Sequence, residues 1–572
     1  MKKLLLLLVL ISVGIVLRVH NISPFKIYPD SYQSLVVAHN ILTYHSVVGY
    51  LGRGGMLYPD FFIWTRPMYP LLIDLFTLIW FDTSRIAQGI SLVAGSILIP
   101  VSFFYIKSIF KSYLFGLAAA LFVALSFNLT IWSGFIMTES IGVLLLSLFL
   151  WRFFATLSKD FKIASLQDFF TGILFAAAVL TRYEYIVLIF PLFFLHVAQG
   201  KNSLPRLLTM SVAGIACFCG VSFLFPLQSI GFTIFSQVKD LLEYAFAIAI
   251  VSFFGILLFV RNKLYFLKIH FAEKINKVTI GILWIFIFLV YLQILHLPAV
   301  RNFMQHDFFL GIFSLVGLTL FLLQPTRRAY GFFCVTCMIF LGIVYHRVNP
   351  EMERYMTHFI PFLLIPASYG FVETFKICLK MYGIRHPGEA TTSIGSRLGK
   401  DSIASLQNDN KKQYVLSVLI SLFIVGTMLA QGWYSYQGLR YLHDSSWYRT
   451  SYEEKAARRL EKYIPENPLL LVSLPESYYY HLRISTQSIA GTYPFIYIDT
   501  KKNPQVLLVV DTPMRKLFPT FTAFVDKNIS AYKITSFFVN EKYHQEGKVE
   551  KEIYPIVVYS IALNDLEEKI HK

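Results

Sequence analysis

The chain has 572 residues, of which 56% are hydrophobic and only 15% charged, with a formal net charge of +17. A soluble protein of this size carries roughly a quarter charged residues, so the composition excludes an ordinary soluble enzyme and implies a polytopic α-helical membrane protein. The positive charge gives no reason to expect a nucleic-acid partner, because Lys and Arg collect in the cytoplasmic loops of membrane proteins.

Apolar runs of membrane-crossing length recur from Leu4 to about Ala430. The opening MKKLLLLLVLISVGIVLRV has lysines before an apolar stretch but no small-residue cleavage site, so it reads as a retained first helix. Further runs lie at 66–81, 85–107, 112–131, 135–157, 166–181, 183–198, 205–226 and 242–260. The series continues at 278–297, 307–324, 330–346, 356–378 and 413–432. Lys2 and Lys3 place the N-terminus inside and the segment 21–65 outside, while the basic segment 379–412 reads as a flexible cytoplasmic loop. Counting crossings from the two ends disagrees by one. At least one short run is therefore re-entrant or half of a broken span, with 112–131 and 166–198 as the candidates. The expectation is about 13 transmembrane helices within residues 1–432.

The five cysteines, Cys217, Cys219, Cys334, Cys337 and Cys378, lie in or beside these runs. The Cys334–Cys337 pair has the spacing of a metal or redox motif but no second pair, and it reads as small core residues. After residue 432 the character changes. Residues 451–464 have the charge and periodicity of an amphipathic surface helix, and 468–474, 505–511, 529–539 and 553–563 read as strands. Residues 445–572 are thus expected to form a small α/β soluble domain on the extracytoplasmic side, either binding acceptor or glycan or acting as a cap.

Ionisable residues inside or at the mouths of apolar runs are costly to keep and are functional candidates by default. They are Asp30 and Asp60 in the first outer segment, Arg66 in TRPMYP, Glu139 in FIMTES, Arg182 and Glu184 in LTRYEY, and Arg347 and Arg354 in HRVNPEMERY. Asp30 begins a short helical pattern, where a carboxylate serves either as an N-cap or as a proton acceptor. Arg66-Pro67 suits a helix start, with Arg66 binding a phosphate or snorkelling to the interface. Arg347 and Arg354 are suited to a phosphate headgroup or to surface ion pairs.

Their order along the chain resembles the GT-C superfamily of lipid-phosphosugar-dependent glycosyltransferases, close to the protein O-mannosyltransferase and aminoarabinose-transferase branch. The matching pieces are YPDSYQSLVVAHNIL, TRPMYPLLIDLF, SFNLTIWSGFIMTESIGVLLL, FAAAVLTRYEYIVLIFPLF and ERYMTHFIPFLLIPAS, spanning roughly residues 1–380. The resemblance implies a GT-C-like fold and an inverting transfer from a polyprenyl-phosphate sugar to an acceptor hydroxyl on the extracytoplasmic side. Asp30 takes the position of the family's general base. Arg66, Arg347, Arg354 and Tyr355 would bind the donor phosphate. Tyr32, Tyr69, Asp60, Glu139, Arg182 and Glu184 would line the cavity. The acceptor is a protein, a lipid or a polysaccharide, and membrane lipid is the surrounding partner. Met68 replaces the second proline of the family's usual pair. The first loop lacks a paired-acid motif and His39, His45 and Asp60 are dispersed, so no metal or other cofactor is expected. Two other classes remain open: a lipid-linked glycan polymerase or ligase of the O-antigen type, and a non-enzymatic lipid-glycan transporter. The first relies on a large late outer loop, whereas 346–355 is short. The second calls for charges across the whole membrane depth and internal symmetry.

Overall fold

The computed structural model describes residues 2–20, 29–44, 66–79, 82–157, 166–198, 204–224, 306–324, 327–348, 353–381, 452–465, 468–472, 475–482, 485–488, 505–517, 519–545 and 548–571, with Gly426, Ala430, Gly432 and Trp433. The apolar runs at 242–260 and 278–297, the basic loop 379–412 beyond residue 381, and Asp60 lie outside the described residues.

The N-terminal helices are α1 (Lys2–His20), α2 (Pro29–Tyr44), α3 (Met68–Thr77), α4 (Thr83–Phe110), α5 (Tyr113–Leu125), α6 (Phe127–Ser133) and α7 (Thr138–Leu157). They are followed by α8 (Leu166–Thr181), a 3-10 turn (Tyr183–Leu188), α9 (Ile189–Ala198) and α10 (Leu204–Leu224). Beyond the undescribed middle come α11 (Phe308–Leu323), α12 (Arg328–Val348), a second 3-10 turn (Glu353–Phe359) and α13 (Ile360–Met381). Among the described residues three helices are long and apolar enough to cross a membrane: Thr83–Phe110, Thr138–Leu157 and Arg354–Lys376. The bent pair α5 and α6 makes a fourth if it counts as one span, and the remaining apolar helices are shorter.

Both runs suspected of breaking do break. The 112–131 run bends by 57° between α5 and α6. A break inside an apolar surrounding frees backbone groups that need partners, and two buried charges provide them. Arg18, in the last turn of α1, donates to the carbonyls of Val123 (2.9 Å) and Ala124 (3.4 Å) at the end of α5. Asp307 accepts from the backbone N–H groups of Phe127 (3.1 Å) and Asn128 (3.3 Å) at the start of α6. It also accepts from Ser126 Oγ (3.1 Å) and Asn128 Nδ2 (2.7 Å). A cation at a helix C-terminus and an anion at an N-terminus both suit the peptide dipoles. The 166–198 run breaks at Arg182, whose backbone is extended (φ −147°, ψ 98°) between α8 and the 3-10 turn.

Helices pack closely through glycine. A Cβ on Gly317 of α11 would lie 1.8 Å from the Pro366 carbonyl oxygen of α13, and one on Gly370 would lie 2.2 Å from that of Phe313. Small residues that let backbones touch are the usual device for packing helices in an apolar solvent.

Residues 452–571 include a five-stranded sheet of order β2-β1-β3-β5-β4. Its strands are β1 (Leu469–Val472), β2 (Ser485–Ser488), β3 (Gln505–Val510), β4 (Lys533–Gln545) and β5 (Lys548–Ala562). β1 pairs in parallel with β2 and β3, whereas β3–β5 and β5–β4 are antiparallel. β1 is buried on both faces: Leu470 and Val472 face α14 (Tyr452–Leu460), and Leu469 and Leu471 join the opposite cluster with Met514 and Val525. Period-two alternation in the strands thus feeds two apolar layers. The helix α15 (Pro475–Leu482) lies between β1 and β2 in the chain and touches α2, where Tyr32 Oη and His481 Nε2 are 3.3 Å apart.

The α11–α13 contact provides a test. In the purified full chain, G317A forces a methyl into backbone and is expected to cost about 1–3 kcal/mol, seen as a lower melting temperature in detergent. A Cβ on Gly89 of α4 meets nothing within 4 Å, so G89A should melt no lower than the parent.

Candidate functional site

Four backbone irregularities meet at one place: the start of α3, the start of α7, the break after α8 and the 3-10 turn before α13. Pro67 caps α3 with αR geometry (φ −70°, ψ −27°), and its fixed φ suits that position. This leaves Arg66 just outside the helix. Glu139 is the second residue of α7 and lies in its first turn, where a carboxylate is favoured by the helix dipole. At the α8 break the Arg182 N–H still bonds to Ala178 O (2.9 Å), while Tyr185 N–H bonds back to Arg182 O (3.0 Å). The switch from α to 3-10 spacing turns Arg182 and Glu184 into the same interior. A Cβ on Gly142 would lie 3.2 Å from Arg182 Cγ. That glycine, one turn beyond Glu139, lets the arginine stem pass over α7 toward the carboxylate.

The side chains form one ion-pair network. Arg182 Nη2 donates to Glu139 Oε1, and Arg66 Nη2 donates to Glu184 Oε1. Arg182 Nη1 lies 3.7 Å from Glu184 Oε1 and Arg354 Nε lies 4.0 Å from Glu139 Oε1. Arg354 Nη2 also donates to Tyr355 Oη at 3.0 Å, with its guanidinium 4.9 Å from that ring centre. The side chains of Glu139, Arg182 and Glu184 are 1% exposed and that of Arg66 is 22% exposed, so Arg66 is the edge that water reaches. Among the described residues three guanidinium groups thus gather around two carboxylates, and charges removed from water must be paired.

The structure therefore joins Arg66, Glu139, Arg182, Glu184, Arg354 and Tyr355 of the residues expected from sequence. It places Tyr69 differently. Its hydroxyl is fully buried, donates to Ala87 O (2.8 Å) and lies 2.9 Å from Ser91 Oγ, so it packs α3 on α4 instead of facing a cavity. Tyr32 is buried against Tyr480 and His481 of α15, with ring centres 5.7 and 5.6 Å apart. Asp30 is the second residue of α2 and Arg347 lies in the last turn of α12, and both side chains lie outside the described residues, as does Asp60. Among the described residues no group of three or more His, Cys, Asp or Glu is arranged to hold a metal ion.

Three residues escaped the sequence reading. Tyr185 Oη and His358 Nδ1 are 2.6 Å apart, and the Tyr345 ring stacks on Tyr355 (4.9 Å) and on His358 (5.5 Å). Tyr355 and His358 are three residues apart in a 3-10 turn, where side chains at i and i+3 eclipse. That spacing was the available signal for His358.

Removing one member of a buried pair leaves the other charge uncompensated, at a typical cost of about 3–5 kcal/mol. R182M and E139Q should each lower the melting temperature sharply. Combined, they should lose less than the sum, with a coupling energy of about 1–3 kcal/mol in a double-mutant cycle. Strict additivity would mean that the two side chains do not act as a pair.

Residues 65–226 match the family described as dolichyl-phosphate-mannose-protein mannosyltransferase. No curated protein matches the sequence. Among solved structures, ArnT from Cupriavidus metallidurans bound to undecaprenyl phosphate superposes with a TM-score of 0.53 at 13% identity, over 96% of this chain and 97% of that one. The Archaeoglobus fulgidus oligosaccharyltransferase tethered to an acceptor peptide gives 0.54 at 13% identity, covering 96% and 74%. The archaeal AglB in complex with an inhibitory peptide and a dolichol-phosphate gives 0.53 at 11% identity, over the same shares. The fold is thus similar to that of these GT-C membrane glycosyltransferase structures, and the segment across α3 to α10 is similar to the mannosyltransferase family.

Proposed function

We propose that this chain is an inverting glycosyltransferase that moves a sugar from a polyprenyl-phosphate donor to an acceptor hydroxyl on the extracytoplasmic side of a membrane. The observation that carries the reading is the convergence of three arginines, Arg66, Arg182 and Arg354, on one largely buried place beside Glu139 and Glu184. Guanidinium groups match phosphate oxygens in charge and in fork geometry, and clustered in a buried site they would stabilise the phosphate that must leave. The lipid phosphates held by the ArnT and AglB structures, and the dolichyl-phosphate-mannose family match, support the same donor class.

In this reading the acceptor oxygen attacks the anomeric carbon while Asp30 takes the hydroxyl proton. The bond from that carbon to the phosphate oxygen breaks, and the sugar's anomeric configuration inverts. The polyprenyl phosphate leaves with its new charge against Arg66, Arg354 and Tyr355, with Arg347 added from the end of α12. Arginine supplies the countercharge, so the reaction as proposed needs no metal. The donor's lipid tail suits entry between helices of a multi-pass domain of about 13 crossings. The α/β unit at 445–572 would sit on the acceptor side, where α15 abuts α2. The transferred sugar is a hexose or pentose, and the acceptor is a protein, lipid or polysaccharide hydroxyl.

Membranes carrying the wild-type chain or D30N, supplied with labelled polyprenyl-phosphate sugars, test this directly. The wild type should transfer label and D30N should be slower by about 100-fold or more, the usual contribution of a positioned base. Full activity in D30N removes Asp30 as the base. No transfer from any lipid donor by the wild type overturns the class.

A further inference from the structure

Buried polar atoms in native proteins are almost always hydrogen-bonded, and an exception asks for an explanation. Several exceptions cluster beside the ion-pair network. Tyr345 Oη, His358 Nε2 and the Nε and Nη1 atoms of Arg182 have no hydrogen-bond partner among the described residues. Tyr345, His358 and Arg182 are all at most 3% exposed. The Tyr345 ring lies flat on both Tyr355 and His358, with interplanar angles of 18° and 27°. The Arg182 guanidinium lies 5.7 Å from the Tyr355 ring centre. These groups therefore share one wall.

The tautomer of His358 decides what this wall offers. The ring is fully buried against Tyr185 and Tyr345, where an unpaired charge is costly, so the neutral imidazole is the form to consider. Its Nδ1 is 2.6 Å from Tyr185 Oη. The Tyr185 hydroxyl can donate to Nδ1 or accept from it, and each arrangement leaves one hydrogen unmade: the hydroxyl's own when Nδ1 carries the ring proton, the Nε2–H when Tyr185 donates. An acceptor placed beside Nε2 selects the second arrangement, because both donors are then satisfied. In that arrangement Tyr345 Oη, His358 Nε2 and the Nε and Nη1 atoms of Arg182 carry hydrogens with no hydrogen-bond acceptor among the described residues, while Glu139 Oε2 and Glu184 Oε2 lack donors. A group with several acceptor oxygens and negative charge suits the four donor atoms.

We infer that Tyr345 and His358 are further binding residues for the phosphate of the polyprenyl donor, with the Tyr345 hydroxyl and the His358 Nε2–H donating to phosphoryl oxygens beside Arg182. Tyr185 is the positioning residue that fixes the His358 tautomer. This rests on the reading of the site as a lipid-phosphate site and adds residues to it. It has a consequence that a packing role lacks: without ligand these donors are a liability, so deleting them leaves the empty protein as stable or more stable while weakening ligand binding.

The experiment uses the full chain purified in detergent. It measures the melting temperature without ligand and the Kd for undecaprenyl phosphate, with phosphatidylglycerol and inorganic phosphate as separate arms. Y345F should melt no lower than wild type and bind undecaprenyl phosphate roughly tenfold more weakly, as expected for a lost hydrogen bond to a charged group. Y185F/H358L removes both members of the tyrosine–histidine contact, so no hydroxyl is stranded, and it should behave in the same way. H358Q, whose amide carries N–H near the position of Nε2, should keep more affinity than H358L. Unchanged Kd in both Y345F and Y185F/H358L overturns the inference. So does a wild-type chain that binds undecaprenyl phosphate no better than phosphatidylglycerol or inorganic phosphate. Tyr345-dependent binding of undecaprenyl phosphate without any sugar transfer would sink the glycosyltransferase reading and leave this one standing.

Discussion

Arg182 leaves α8 where that helix stops, passes over Gly142 and meets Glu139 at the start of α7. Neither charge is tolerable alone in an apolar interior, and their attraction offsets desolvation only when the geometry holds both in place. The backbone obeys the same rule, because a helix that breaks away from water strands its own polar groups. Each charged member of the network accordingly stands at a helix end or break. Arg66 precedes α3, Glu139 opens α7, Arg182 and Glu184 flank the turn after α8, and Arg354 sits in the turn before α13. Had Arg182 continued α8 as a regular helix, its side chain would have turned a further 100° or so from the position of Leu180 with each residue. Glu184 would then not share its interior. The break makes the site.

A second break shows what a structural network looks like. Between α5 and α6, Asp307 accepts from four donors, and Arg18 donates to three carbonyls with only its Nε left over. Its work is finished within the protein. The network around Arg182 is denser in charge but poorer in hydrogen bonds. Glu139 Oε2, Glu184 Oε2, two nitrogens of Arg182, Tyr345 Oη and His358 Nε2 all lack partners among the described residues. Two buried networks in one chain thus differ in satisfaction, and the incomplete one lies where the residues singled out from sequence converge. Incompleteness is a cost that folding alone does not explain, and the oxygens of the proposed ligand would meet its four donor atoms, though not the two carboxylate oxygens.

Much of this was legible before any coordinates. Five charged residues of the network stood out because ionisable groups in apolar runs are rare, and Tyr355 came from the family resemblance. The mismatch in crossing counts pointed to 112–131 and 166–198, both of which break. What could not be read was pairing: Arg66 meets Glu184 across 118 residues, and no local spacing specifies that. Tyr69 was expected to line the cavity from the family resemblance, yet its hydroxyl is committed to α4. Tyr185, Tyr345 and His358 were passed over because aromatic rings in apolar runs are ordinary packing groups, and what marks them out in the structure is the unpartnered Tyr345 Oη and His358 Nε2 and the contact of Tyr185 with His358. In the sheet, β2 has the sequence Ser-Thr-Gln-Ser, with none of the apolar alternation by which the other strands were found. It lies at the sheet edge beyond β1, where one side of the ladder needs no apolar cover.

Among the described residues, the C-terminal unit reaches the helix that carries Asp30 where α15 packs on α2. Tyr32 lies two residues after Asp30 in α2, and its ring and hydroxyl are held by Tyr480 and His481 of α15. α15 is in turn packed into the sheet unit by Tyr478, which is fully buried beside Leu470 and Val472. The first turn of α2 is therefore set from outside the helical domain, by a lever that runs from the sheet core through α15 to the residue pair next to Asp30. A displacement of the sheet unit cannot leave that turn unmoved without breaking the Tyr32 contacts. Among the described residues the ion-pair network shows no such link, because its members come from the start of α3, α7, the turn after α8 and the turn before α13. In the proposed reaction the leaving group would therefore be held by the helical domain, while the helix that carries the proposed base would be set in part by the C-terminal unit.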